Sequence, residues 1–347
     1  MKRNMTEWLQ SILESAPTRL AMPITGSPGM EILGRPLKGL YTDGQTQFES
    51  MRALGERYPT LAVLTAMDLS VEAEAFGSPI RLSNEEAPTV TGVVASNLEG
   101  VKALAVPTVG AGRTGEYLKA ARLAAATLDD KVVLGGMIGP FSLACRLYDM
   151  TKLMLTMRRE PETVMALLNK CTAFLVEYAR AFKEAGANGI VLAEPAAGLV
   201  SPAQCQRFSS EFIKRIVDAN QDESFIIVLH NCGNTEVLVN TMLFTGCKAL
   251  HFGNVVDMLE IMPQLPKDVV AFGNIDPVKV MKMGTVREVK VRTLELLEEM
   301  SKYKNFVLST GCEVPPGVPL ANLDAFYKTL EIYNMTQEIR HKWLFDS

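Results

Sequence analysis

No stretch of this sequence interleaves basic residues with aromatics, and the net charge is only −4. A nucleic-acid or anionic-membrane partner therefore has no support in the sequence. No apolar run is long enough to span a bilayer. Residues 1–21 mix charged and apolar side chains, without the continuous apolar core of a secretory signal. The six cysteines are scattered and form no dense disulfide pattern. The expectation is a cytoplasmic protein, whose reduced thiols are free to hold metal or do chemistry. No strand-turn-helix carries a G-x-G-x-x-G or a P-loop lysine, so a nucleotide-binding sheet lacks support. Internal repeats, low-complexity tracts and interdomain linkers are absent too, which points to one domain over residues 1–347.

What is present is an ordinary globular composition, 48% hydrophobic and 21% charged, able to bury a large core. Eight apolar runs read as strands: Leu20–Thr25, Leu61–Met67, Val132–Gly139, Gly189–Pro195, the stretch Ser224–Thr235, Ala249–Asn254, Asp268–Asp276 and Asn305–Cys312. Helical patterns lie between most of them. Continuous apolar strands imply a parallel sheet covered on both faces. Eight such units predict an α/β fold, a single (β/α)8 TIM barrel. Between the strands, Gly26–Tyr41 reads as a long loop from its glycines and prolines, and Ile80–Thr91 as irregular. Ser201 and Gln204, with Pro202 between them, predict a capped helix start.

In such a barrel the strand ends form the active face. They carry Asp68, Met137, Glu194, His230 with Cys232, Asn254, Asn274 with Asp276, and Cys312. Asp and Asn also end strands simply as turn residues. His230 and Cys232 are two residues apart on a strand and point the same way. The pair alone suits either half of a zinc site or a packed core. Cys312 is 80 positions further on, but the barrel brings both strand ends to one bowl. One imidazole and two thiolates with an open fourth position is the style of a catalytic zinc site. His251, in strand six, reads as a packed residue.

At these residues the chain resembles the uroporphyrinogen decarboxylase superfamily, in its corrinoid-dependent methyltransferase branch. Methylcobalamin:coenzyme M methyltransferases are the best-known members. The resemblance is carried by Met67-Asp68-Leu69-Ser70-Val71-Glu72-Ala73-Glu74, Gly136-Met137-Ile138-Gly139-Pro140 and Ala193-Glu194-Pro195. It continues in His230-Asn231-Cys232-Gly233-Asn234, Gly273-Asn274-Ile275-Asp276-Pro277 and Gly311-Cys312-Glu313-Val314-Pro315-Pro316. Residues 1–59 match least well and are expected to be an N-terminal extension. The decarboxylase branch uses an arginine-rich N-terminal segment to hold its polyanionic substrate, whereas Met22–Gly29 has no arginine.

The resemblance implies zinc bound by His230, Cys232 and Cys312, with Glu194 a candidate fourth ligand or proton acceptor. It implies a methylated corrinoid as co-substrate, a corrinoid carrier protein as partner, and a small thiol as methyl acceptor. Asp68, Met137, Asn234, Asn274 and Asp276 are expected to line the bowl. A decarboxylase of a smaller acid, with Asp68 as its acid group, and a barrel that binds zinc or corrinoid without turnover are the competing expectations.

Overall fold

The computed structural model describes residues 3–345. Seven parallel strands form one sheet: β1 (Ala62–Leu64), β4 (Val132–Ile138), β5 (Gly189–Ala193), β6 (Ile226–Asn231), β7 (Ala249–Phe252), β8 (Val270–Ile275) and β9 (Phe306–Thr310). They are hydrogen-bonded in the order of the chain. The short β2 (Ile80–Arg81) and β3 (Thr89–Val90) pair antiparallel beside it, within the stretch read as irregular.

The first expected strand, Leu20–Thr25, is not one. It makes a single parallel bridge, Ala21 to Leu308. Pro23 sits in the middle of the run and has no N–H to give a ladder. Its neighbours still reach both edges of the sheet. Met22 N–H donates to Leu308 O, Leu308 N–H to Leu20 O, and Leu61 N–H to Ala21 O. The sheet is therefore curled until its first and last strands flank the same segment.

Gly26–Tyr41 is also not a loop. It folds into two short helices, Ser27–Leu33 and Lys38–Thr42. Pro28 lies in the first turn of the former, and Gly34 closes it at φ 62° in the left-handed region. These are ordinary helix start and stop signals at close spacing. The capping box at Ser201 and Gln204 forms as expected.

Strand alternation divides the core in two. Leu64, Leu134, Val191, Val228, Val270, Phe272 and Val307 belong to an inner cluster within the curled sheet. Met5, Trp8, Leu9 and Ile12, the buried face of the helix Met5–Glu14, join that cluster. Leu192, Ile227, Leu229, Leu250, Ala271 and Leu308 face outward, into the layer of helices. Among the described residues no helix is long and apolar enough to cross a membrane.

Candidate metal centre at the strand ends

His230 continues the inward series Ile226, Val228 on β6, and Cys232 lies just beyond the strand. Asn231 Oδ1 accepts from Gly233 N–H at 2.8 Å and fixes this turn. Gly253 packs against it so closely that a Cβ there would lie 2.4 Å from Cys232 Cα. Cys312 follows β9, and Gly311 N–H carries the ladder one step further onto Ile275 O. These three segments bring one donor atom each of His230, Cys232 and Cys312 within 4.8 Å of one another.

The donor set has a depth. His230 is 2% exposed, while Cys232 and Cys312 are partly exposed. His230 Nε2 is enclosed and has no hydrogen-bond partner in the protein. A buried polar atom without a partner is costly, and a metal ion is one way to supply it. The Cys232 thiol is pushed well down, first by a hydrogen bond from Cys312 and, against burial, by His230 alongside. The same bond, with burial, pushes Cys312 up. A cation of soft-ligand preference bound between them would hold both as thiolates.

His230 Nδ1 lies 2.9 Å from Nδ1 of His251, its register partner on β7. His251 Nε2 lies 2.9 Å from Ser309 Oγ, which donates to Met22 O at 2.7 Å. His251 is fully buried and stacks on Phe272. Burial, and then the neighbouring His230, hold its pKa well below the usual value. It is packed, as its position suggests, but packed against a candidate ligand.

The other expected site residues are placed differently. Glu194 is buried and faces the helix Pro140–Tyr148. Its Oε1 accepts from Ser142 N–H at 2.6 Å, and its Oε2 from Phe141 N–H and Ser209 Oγ. Burial, opposed by these donors, pushes its carboxyl up to about 7. It is not a member of the three-residue cluster. Met137 belongs to the outer core against the helices, which corrects its expected place in the bowl. Asn234 is exposed. Asn274 Nδ2 ties two carbonyls, Gly253 O and Val256 O. Asp276 caps the helix that follows β8 and accepts from Asn254.

Asp68 is engaged by a partner that strand-end reading missed. Arg113 Nη1 meets Asp68 Oδ2 at 2.5 Å, with both side chains buried. Tyr117 and Ser70 donate to the same carboxylate. Arg113 also holds Glu74, Ser70 Oγ and Tyr41 O. It comes from a glycine-rich turn 45 residues away, and nothing local in the sequence points to the contact.

The chain is 29% identical over 301 residues to a methylcobamide:CoM methyltransferase of Methanosarcina mazei, covering 84% of this chain and 87% of that protein. It is 24% identical over 293 residues to a uroporphyrinogen decarboxylase of Coxiella burnetii, covering 81% and 80%. A solved methyltransferase structure from Methanosarcina mazei superposes with a TM-score of 0.84 at 24% identity, over 95% of this chain and 99% of that one. That match shows the fold. The profile of the family Uroporphyrinogen decarboxylase (URO-D) matches residues 15–333. That span takes in the bridging segment, every strand of the sheet and all three clustered donors, and the chain belongs to the uroporphyrinogen decarboxylase family.

Proposed function

We propose that the protein is a methyltransferase that moves a methyl group from a methylated corrinoid to a thiol, using zinc held by His230, Cys232 and Cys312. The observation that carries this is the convergence of an unpartnered imidazole nitrogen and two thiols. One nitrogen and two sulfurs fit zinc, and three protein ligands leave a position for substrate. Zinc bound there would supply a Lewis acid that keeps a coordinating thiol deprotonated at neutral pH. The relative named above as a methylcobamide:CoM methyltransferase supports a small thiol as the acceptor.

The chain's own groups then have distinct tasks. The buried His230 sets the floor of the site, and Cys232 and Cys312 form its solvent-facing wall. Burial of the ring beneath them excludes water from one side. Glu194 organises the neighbouring helix start from behind. Around the same end of the sheet, the segments after β5, β6, β7 and β8 each expose an apolar side chain: Leu199, Val237, Val255 and Val278. Exposed apolar groups at these segment ends would suit contact with a corrinoid and the protein that carries it.

A decarboxylase using Asp68 as its acid fits less well. That carboxylate is already occupied by Arg113, Tyr117 and Ser70. The test is to measure zinc per chain and to follow loss of the methyl–cobalt absorbance of methylcobalamin with a panel of small thiols. The expected result is about one zinc per chain and thiol-dependent demethylation, both lost in His230→Ala. Demethylation that persists in a zinc-free His230→Ala protein refutes the mechanism. Full zinc occupancy with no demethylation by any thiol favours a binding protein.

A further inference from the structure

The proposed chemistry uses His230 and leaves its buried neighbour His251 without a task. The polarity of the hydrogen bonds around His251 is set from the Met22 end. Met22 O is a carbonyl and can only accept, so the Ser309 hydroxyl proton lies on the 2.7 Å bond between them. Ser309 Oγ therefore accepts from His251 across 2.9 Å, and His251 Nε2 carries a proton. No carboxylate is hydrogen-bonded to the ring; its polar partners are Ser309 and His230. In a neutral ring, giving Nε2–H to Ser309 leaves Nδ1 as the acceptor of the His230 contact. Its Nδ1 is then a bare lone pair. The 2.9 Å contact from that lone pair to His230 Nδ1 is a hydrogen bond only if His230 carries its proton on Nδ1. His230 Nε2 is left unprotonated and enclosed, on the ring that clusters with the two thiols.

We propose that His251, itself oriented by Ser309 and the Met22 carbonyl, is a positioning residue that locks His230 in the Nδ1–H tautomer and aims its Nε2 lone pair at the metal position. A second hydrogen bond to the ring of a ligating histidine raises its basicity and fixes its rotation. Here that support is another histidine, and the chain of bonds ends on the Leu20–Thr25 segment. The segment that bridges the edges of the sheet thus also ends the support of the metal ligand. This inference rests on the zinc reading of the site, and two of its three measurements separate it from that reading.

The first measurement needs no metal. Nitrogen–proton correlation spectra of metal-free, 15N-histidine-labelled protein at neutral pH are expected to show His230 protonated on Nδ1 and bare on Nε2. An Nε2–H tautomer overturns the proposal, whatever the protein does with zinc. The second measurement is zinc affinity by chelator competition. His251→Leu removes the acceptor and is expected to weaken zinc by about 10–100-fold, with circular dichroism unchanged. His251→Asn, whose Oδ1 can accept near the place of Nδ1, is expected to recover most of that loss. A folded His251→Leu protein that binds zinc as tightly as the parent overturns the proposal. Should that variant fail to fold, Ser309→Ala tests the same bond from its far end by the His230 tautomer. Absence of zinc binding in the parent refutes the proposed function and leaves the tautomer result standing on its own.

Discussion

Replacing Arg113 with leucine removes one half of a buried ion pair and leaves the other half in place. Asp68 has no exposed side-chain surface, and Arg113 is 9% exposed. In the variant the carboxylate keeps Ser70 N–H at 2.9 Å, Ser70 Oγ at 2.6 Å and Tyr117 Oη at 3.1 Å, but no positive charge. Tyr41 O and Glu74 lose a donor as well. Breaking a buried pair from one side costs about 3–5 kcal/mol, because an uncompensated charge remains. At about 2.1 cal/mol/K per residue, a chain of 347 residues unfolds with an entropy of ~0.7 kcal/mol/K, so Tm is expected to fall by ~4–7 °C. Calorimetry measures this directly. Arg113→Lys is expected to fall nearly as far, since one ammonium cannot replace a planar fork that serves four acceptors. The double variant Arg113→Leu with Asp68→Asn removes the stranded charge and is expected to recover part of the loss, by more than the ~0.5 kcal/mol scatter of independent sites. A single Arg113→Leu protein that melts within about 1 °C of the parent, or a strictly additive double variant, refutes the reasoning.

Two further outcomes follow from groups near the strand ends. Burial pushes the Glu194 carboxyl from 4.5 up to about 7, so between those values the folded protein holds a proton that the unfolded chain releases. Stability is then greatest at the acid side of that window and falls as pH rises towards about 7. Glu194→Gln is expected to make the fall shallower, leaving the contribution of Glu72, which burial pushes up to about 8; urea midpoints at a series of pH values measure it, and an unchanged slope refutes the assignment. Asn274→Asp turns a donor shared by Gly253 O and Val256 O into an acceptor facing both. It is expected to cost about 1–3 kcal/mol for each carbonyl left without a partner, and a urea midpoint equal to that of the parent counts against that role.

Much of the fold was legible because parallel strands covered on both faces are continuous apolar runs, and seven of the eight expected runs form strands. The exception had a local cause, Pro23, visible in the sequence. What the sequence does not show is that a segment too irregular to be a strand still takes hydrogen bonds from both edges of the sheet. The helices of Gly26–Tyr41 were hidden by the same residues that start and stop them. Proline and glycine at such close spacing are loop signals and helix-boundary signals at once, and only packing decides between them.

At the site, position along the strand groups His230, Cys232 and Cys312, and direction across it sets Glu194 and Met137 apart. His230 follows Ile226 and Val228 on the inward face, so the end of β6 delivers it to the bowl. On β5 the inward residues are Val191 and Ala193, and Glu194 is out of phase with them. Its carboxylate accordingly turns to the helix Pro140–Tyr148, with Phe141, Ser142 and Ser209 as donors. On β4 the inward residues are Val132 and Leu134, which sends Met137 to the outer core. Counting in twos from the apolar residues would have separated these two from His230, and would have added His251, two places after the inward Ala249. Arg113 was beyond such counting, because its partner is brought to it by tertiary structure alone. The phase of Glu194 bears on the chemistry too. A carboxylate that caps the neighbouring helix with both oxygens is a poor fourth ligand, and this placement supports a substrate thiol, rather than a protein group, as the donor that completes the set of His230, Cys232 and Cys312.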